Sequence, residues 1–164
     1  MKEVYKMENR RIAVIRIRGV IGVNAKVADT LKKFRLFKKN GCVVVDNRKS
    51  YTGMLRKVKD YATWGEINDS TFKKLLLARG RLPGNKQLSE PYLKDKIKTD
   101  ADTFVKEFFE FKRELKDIPG LKAFFRLGMP KKGFEIKGIK VPFSMGGALG
   151  YRKDKINDLI ERMI

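Results

Sequence analysis

Five cations fall within eight residues at Lys32, Lys33, Arg35, Lys38 and Lys39. Their chemistry is the pairing of ammonium and guanidinium groups with phosphate, in which each contact releases a condensed counterion. Arg48, Lys49, Arg56, Lys57 and Lys59 continue the pattern, and guanidinium forks suit phosphate and base edges better than ammonium does. A second candidate is Gly146-Gly147-Ala148-Leu149-Gly150-Tyr151-Arg152-Lys153, where glycines would let backbone approach a phosphate while a ring stacks and a cation pairs. The segment lacks the Gly-Lys-Ser or Gly-Lys-Thr of a P-loop and the G-x-G-x-x-G of a dinucleotide fold. Its bland alternative is a flexible turn ahead of a last helix, and spacing does not separate the two.

Other chemistry is excluded by residue type. The 164-residue chain has no histidine and a single cysteine, Cys42. It therefore has no Cys/His zinc site, no histidine-based nucleophile and no intrachain disulfide. Asp100 with Asp102, and Glu107 with Glu110 and Glu114, stand beside Lys106, Lys112 and Arg113, a pattern of surface ion pairing rather than acid–base catalysis. Cys42 reads as a core thiol. No metal or cofactor is expected.

Lys and Arg total 39 against 19 Asp and Glu, a net charge of +20. Such a surplus repels itself unless a polyanion neutralises it. It is also uneven. Residues 26–59 hold eleven basic and two acidic side chains, residues 99–128 six of each, and residues 129–155 seven basic and two acidic. Nucleic acid is the expected partner; for any one lysine the alternative is a solvated surface. No basic helix shows the broad apolar face a membrane surface requires, and no apolar run approaches the roughly 20 residues of a membrane span. Met1-Lys2-Glu3 does not open a signal peptide. A soluble, intracellular protein is expected.

The elements that must position these groups follow from periodicity. Residues 11–18 alternate as a strand, with Ala13, Ile15 and Ile17 on one face and Val14, Arg16 and Arg18 on the other. Asn24 caps a helix over about 25–37 with Val27, Leu31 and Phe34 inward, stopped by Asn40-Gly41. Cys42 to Val45 is a buried strand, giving a strand–helix–strand unit with an expected right-handed crossover. A second helix over about 51–62 is ended by Trp64-Gly65, and Glu66-Ile67 is a brief third strand. Residues 1–68 thus form a ferredoxin-like β-α-β-α-β core with helices on one side of the sheet.

Residues 69–164 form a mainly helical and loop extension, and the whole is of the α+β class. Asp69 or Ser70 caps a helix bearing Phe72, Leu75 and Leu76, ended by Gly80. Residues 80–98 read as a basic loop. Thr99 and Asp102 open a helix burying Phe104, Phe108, Phe111 and Leu115, ended by Ile118-Pro119-Gly120. The phenylalanines at 104, 108, 109, 111, 124 and 125 are expected in the core rather than as a base-stacking platform. Residues 128–150 are rich in glycine, and the last helix, from about 153, turns Ile156, Leu159, Ile160 and Met163 inward.

The chain resembles the archaeal and eukaryotic branch of the large-subunit ribosomal protein thirty family, in its archaeal type. Ala28-Asp29-Thr30-Leu31-Lys32-Lys33-Phe34-Arg35-Leu36 runs into Lys39-Asn40-Gly41-Cys42-Val43-Val44-Val45. Ser50-Tyr51-Thr52-Gly53-Met54-Leu55-Arg56-Lys57-Val58-Lys59-Asp60-Tyr61-Ala62-Thr63-Trp64-Gly65-Glu66-Ile67 follows, then Leu75-Leu76 with Arg79-Gly80-Arg81-Leu82. Pro142-Phe143, Gly146 to Arg152 and Lys155-Ile156-Asn157 complete the set in family order. Phe37 stands where relatives often carry histidine, and Gly128-Met129-Pro130-Lys131-Lys132-Gly133 replaces His-Pro-Pro-Arg-Gly-Gly.

The resemblance implies no enzymatic activity and binding to large-subunit ribosomal RNA and neighbouring ribosomal proteins. It implies one copy per subunit, in the cytoplasmic ribosome, with no small-molecule substrate. The rival is a free DNA-compacting or RNA-chaperone protein. Candidate RNA contacts are Arg16, Arg18, Lys32, Lys33, Arg35, Lys38, Lys39, Arg48, Lys49, Tyr51, Arg56, Lys57, Arg79, Arg81, Lys131, Lys132, Gly146, Gly147, Tyr151, Arg152 and Lys153.

Overall fold

The computed structural model describes residues 10–164; the Met1-Lys2-Glu3 reading and the start of the expected 1–68 core lie outside them. Strand β1 (Arg11–Arg16) is buried along its whole length. The reason is topological: it is the middle strand of a five-stranded sheet of order β4-β2-β1-β3-β5. The other strands are β2 (Gly41–Asp46), β3 (Ala62–Glu66), β4 (Phe125–Arg126) and β5 (Gly150–Tyr151). β1 is antiparallel to both β2 and β3, with Val14 opposite Val43 on one side and Trp64 on the other. The first strand–helix–strand unit is therefore not a crossover, because its strands are antiparallel neighbours. The crossover is β2 to β3, which are parallel with β1 between them, the split arrangement of a ferredoxin-like core.

Alternation divides the sheet's side chains between two layers. Ile12, Val14, Val43 and Trp64 pack with Leu31, Phe34, Leu55 and Val58 from α1 (Ala25–Lys33), α2 (Lys49–Lys57) and the residues just after them. Ala13, Ile15, Cys42 and Val44 pack against α3 (Asp69–Arg79), α5 (Ala101–Phe109) and α6 (Ile156–Met163). Helices thus cover both faces, not one as the first 68 residues suggest. Phe72 of α3 stacks on Phe108 of α5 with ring centroids 4.4 Å apart, and burying a ring of that size stabilises by roughly 1.5–3 kcal/mol. α6 buries Ile156, Leu159, Ile160 and Met163, the stripe its spacing predicts.

Several boundaries move for local reasons. α1 stops at Lys33, not 37. The amide of Arg35 donates to the Lys32 carbonyl at 2.8 Å and that of Leu36 to Leu31 at 2.9 Å, a Schellman closure with Arg35 at φ +59°. Asn40 does take a left-handed φ of +61°, but it turns the chain into β2 instead of ending the helix. α2 ends at Lys57, and Trp64-Gly65 lies inside β3 rather than at a helix end. Gly65 is required there, since a Cβ would stand 2.0 Å from the Lys153 carbonyl oxygen. The expected basic loop contains a helix, α4 (Glu90–Ile97), with Ser89 at its N-cap and Pro91 in its first turn. Phe111 leaves α5 at φ +61°, and Leu115 opens a separate 3-10 turn.

Candidate nucleic-acid interface

The Schellman turn and the start of β2 present the cations of the α1 end. Lys32, Lys33, Arg35, Lys38 and Lys39 are all exposed. Lys33 pairs with Asp29 at 3.0 Å on the same helix; the other four have no ion pair among the described residues. α2 begins beside them with Arg48 at its N-cap, Lys49 in its first turn and no acidic residue there. That placement opposes the helix dipole, whose positive end favours anions. Cations and free amide hydrogens together at a helix start become favourable when an anion joins them.

Two clefts tie these elements into one track. A cleft of about 340 Å³ is lined by Lys33, Arg35, Arg48 and Tyr51, with Glu114 and Lys116 on its far wall. The Tyr51 ring is held against Phe34 at 5.9 Å between centroids. Arg35 also lines a neighbouring cleft of about 180 Å³ with Phe37, Lys38, Lys39, Phe124 and Arg126. Arg126 was not legible as a site residue. It joins only because the two-residue β4 pairs with Gly41 and Cys42, which nothing local in the sequence signals.

Two expected contacts are corrected by their placement. Arg16 is 3% exposed, and its guanidinium donates to the carbonyls of Arg18, Leu36, Phe37 and Gly19 at 2.7–3.3 Å. It lies at the β1 end, where alternation points it inward, and burial lowers its pKa. Arg152 is 2% exposed. It donates to both Glu135 carboxylate oxygens, at 2.6 and 3.1 Å, to Thr63 Oγ1 and to the Ala148 carbonyl. Phe143 covers it at 4.6 Å.

The glycine segment is packed from Gly147 to Leu149 and exposed at Gly146. Gly147 is buried, and a Cβ on it would lie 2.1 Å from the Val141 carbonyl oxygen. Ala148 and Leu149 pack on Ile17. Gly146, at φ +86°, is exposed at the turn. The Tyr151 hydroxyl donates to Glu66 Oε1 at 2.6 Å; burial and that carboxylate raise its pKa well above the ordinary phenol range.

The remaining candidates are scattered. Arg56 lines a separate cleft with Lys59, Trp64 and Tyr151 near the β3–β5 edge. Arg18 is half-exposed and lies over the Tyr61 ring at 4.9 Å. Lys57, Lys131, Lys132 and Lys153 are exposed. Arg79 donates to the Ile164 oxygen at 2.6 Å, and Arg81 sits in a bridge with Gln87; both belong to the α3 side, away from the track. Of the expected surface ion pairs, Lys112 with Glu110 at 2.6 Å and Arg113 with Glu107 at 2.7 Å are present; Asp102 and Asp100 pair instead with Lys73 at 2.7 Å and Lys94 at 3.0 Å, on other elements.

Known proteins give this arrangement its setting. The family described as ribosomal protein L30p/L7e matches residues 12–62, which hold all but the first residue of β1, then α1, β2, α2 and the first residue of β3. The large ribosomal subunit protein uL30 of Methanopyrus kandleri is 47% identical over 149 residues, covering 90% of this chain and 100% of the relative. Its counterpart in Methanococcus vannielii is 49% identical over 152 residues, 93% of this chain and 98% of the relative. That of Archaeoglobus fulgidus is 46% identical, with 92% and 98% covered. With identity near one half along nearly all of each sequence, the chain belongs to the archaeal type of the uL30 family of large ribosomal subunit proteins.

Proposed function

We propose that this chain, a structural and non-enzymatic ribosomal protein by its family, is held on large-subunit ribosomal RNA by the track along α1, β2 and the start of α2. Lys32, Arg35, Lys38, Lys39, Lys49 and Arg126 supply the phosphate contacts, with Lys33, Arg48 and Tyr51 beside them. Arg16, Arg79 and Arg152 are left out, because their guanidinium groups are committed to protein acceptors. Lys131 and Lys132, exposed and adjacent in the chain, form a second, smaller point of attachment, and neighbouring ribosomal proteins pack on the remaining surface of this single copy.

One observation carries the reading: Lys32, Arg35, Lys38, Lys39, Lys49 and Arg126, with no ion pair among the described residues, gather along two adjoining clefts and at the wrong end of a helix dipole, where Arg48 is paired with Asp46 at 2.7 Å. A folded polyanion relieves both problems at once. Phosphate contacts then supply most of the affinity, and RNA shape supplies the fit.

The test is Arg35→Ala combined with Lys39→Ala. Both side chains are exposed and have no ion pair among the described residues, so the fold should survive while retention on large-subunit RNA falls. Unchanged retention removes the track from the interface. A native protein found mainly free of the subunit in moderate salt would favour a free RNA-chaperone or DNA-compacting role instead.

A further inference from the structure

We infer that the cleft between Phe37 and Phe124 takes the base of one unpaired RNA nucleotide, with its phosphates on the surrounding cations. The inference rests on the RNA-binding reading above and adds a base to a phosphate interface.

Phe37 is 53% exposed, in the short loop between the Schellman turn and β2. Phe124, half-buried, immediately precedes β4. Both rings line the 180 Å³ cleft, whose floor is the buried Phe125. Neither Phe37 nor Phe124 stacks on another ring among the described residues; Phe37 is largely exposed, and Phe124 packs in part against the core that holds Phe34 and Val43 while its remaining surface lines the cleft. Arg35, Lys38, Lys39 and Arg126 surround the opening. Among the described residues none of the four has an ion pair and no carboxylate lines the cleft.

That combination selects its occupant. An apolar slot ringed by four unneutralised cations repels a basic peptide and gains little from a neutral apolar one. A paired duplex satisfies the cations, but its bases are stacked within the helix and offer the rings nothing. An unpaired nucleotide satisfies both, joining a flat π face to a phosphate on either side, and stacking of this kind tolerates any base. The cleft has room for one planar ring system and none for a helix. β4 brings residues 124–126 beside residues 35–41, so the site exists only in the folded chain.

The test uses the full chain with a short single-stranded RNA carrying one 2-aminopurine, and the same strand annealed to its complement. Phe37→Ala should weaken single-strand binding by roughly five- to a hundredfold and leave duplex binding unchanged. Phe37→Tyr should restore the affinity and the 2-aminopurine fluorescence change, whereas Phe37→Leu should not. Arg35→Ala with Lys39→Ala should weaken both RNAs. Equal effects of Phe37→Ala on the two RNAs, no effect on either, or full rescue by leucine would overturn the inference while leaving the phosphate track standing. Wild-type protein binding neither RNA would bring down the track as well. Displacement of the single strand by a poly(Glu,Tyr) peptide at lower concentration than unlabelled RNA would assign the cleft to an acidic protein instead.

Discussion

The Leu36 amide donates to the Leu31 carbonyl across the end of α1 at 2.9 Å, which leaves the intervening Arg35 at φ +59°. Glycine is the residue this position favours, and a side chain there costs roughly 1–2 kcal/mol. The Arg35 guanidinium makes no hydrogen bond or ion pair within the described protein, so nothing in the fold offsets that cost. Arg35→Gly should therefore raise stability by about 1 kcal/mol in urea unfolding and at the same time weaken binding to ribosomal RNA. Loss of stability, or unchanged RNA affinity, would contradict the assignment of Arg35 to the interface.

Arg152 and Glu135 make the opposite use of a cation. Burial alone would push the Glu135 carboxyl up, but the Arg152 hydrogen bond and charge outweigh it and hold the pKa below the ordinary carboxylate value. A carboxyl depressed in the folded state contributes stability that is complete above its unfolded pKa and is lost as pH falls through the folded one. Glu135→Gln strands a buried guanidinium and should cost about 3 kcal/mol at neutral pH. The gap between variant and wild type should begin to narrow as pH falls below the ordinary glutamate value of about 4.3 and should close as the depressed wild-type carboxyl is itself protonated. Urea titrations across this range check it, and a gap independent of pH would refute the coupling.

The two central glycines should respond differently. Gly147→Ala drives a Cβ into the Val141 backbone, and overpacking of this kind costs about 1–3 kcal/mol or more when backbone must move. Gly146→Ala has its nearest neighbour, the Lys137 side chain, at 3.6 Å, so it carries only the left-handed backbone cost of roughly 1 kcal/mol. Thermal unfolding of the two variants should rank Gly147→Ala as the less stable. Equal melting temperatures would return the segment to a loosely held turn.

Cys42 reports on the same core. It is fully buried, and burial pushes its thiol pKa up to about 12. A thiol reagent should label it only at the rate of opening of the sheet, so labelling should accelerate in step with the urea transition. Fast labelling of the native protein would show that the covering helices do not seal that face.

The sequence carried the helix stripes and the first two strands because they rest on local periodicity, as with Leu31 and Phe34 or the Cys42–Val45 run. It misplaced what depends on distant partners. Trp64-Gly65 looks like a helix stop, yet the glycine is there to admit the Lys153 carbonyl of a segment nearly ninety residues away. Ser89-Glu90-Pro91 is a readable helix start that a basic, proline-containing stretch obscured. At the interface, residue type identified Lys32 to Lys39 and Arg48, but type cannot separate Arg35 in solvent from Arg16 and Arg152 in the core. Phe37 and Arg126 become neighbours only through β4, a pairing two residues long.

Salt dependence of binding between the purified chain and large-subunit ribosomal RNA tests the central claim most directly. With about eight phosphates neutralised, the logarithm of affinity should fall against the logarithm of salt concentration with a slope of roughly −6 to −7. A slope shallower than about −2 would contradict an interface built on phosphate contacts.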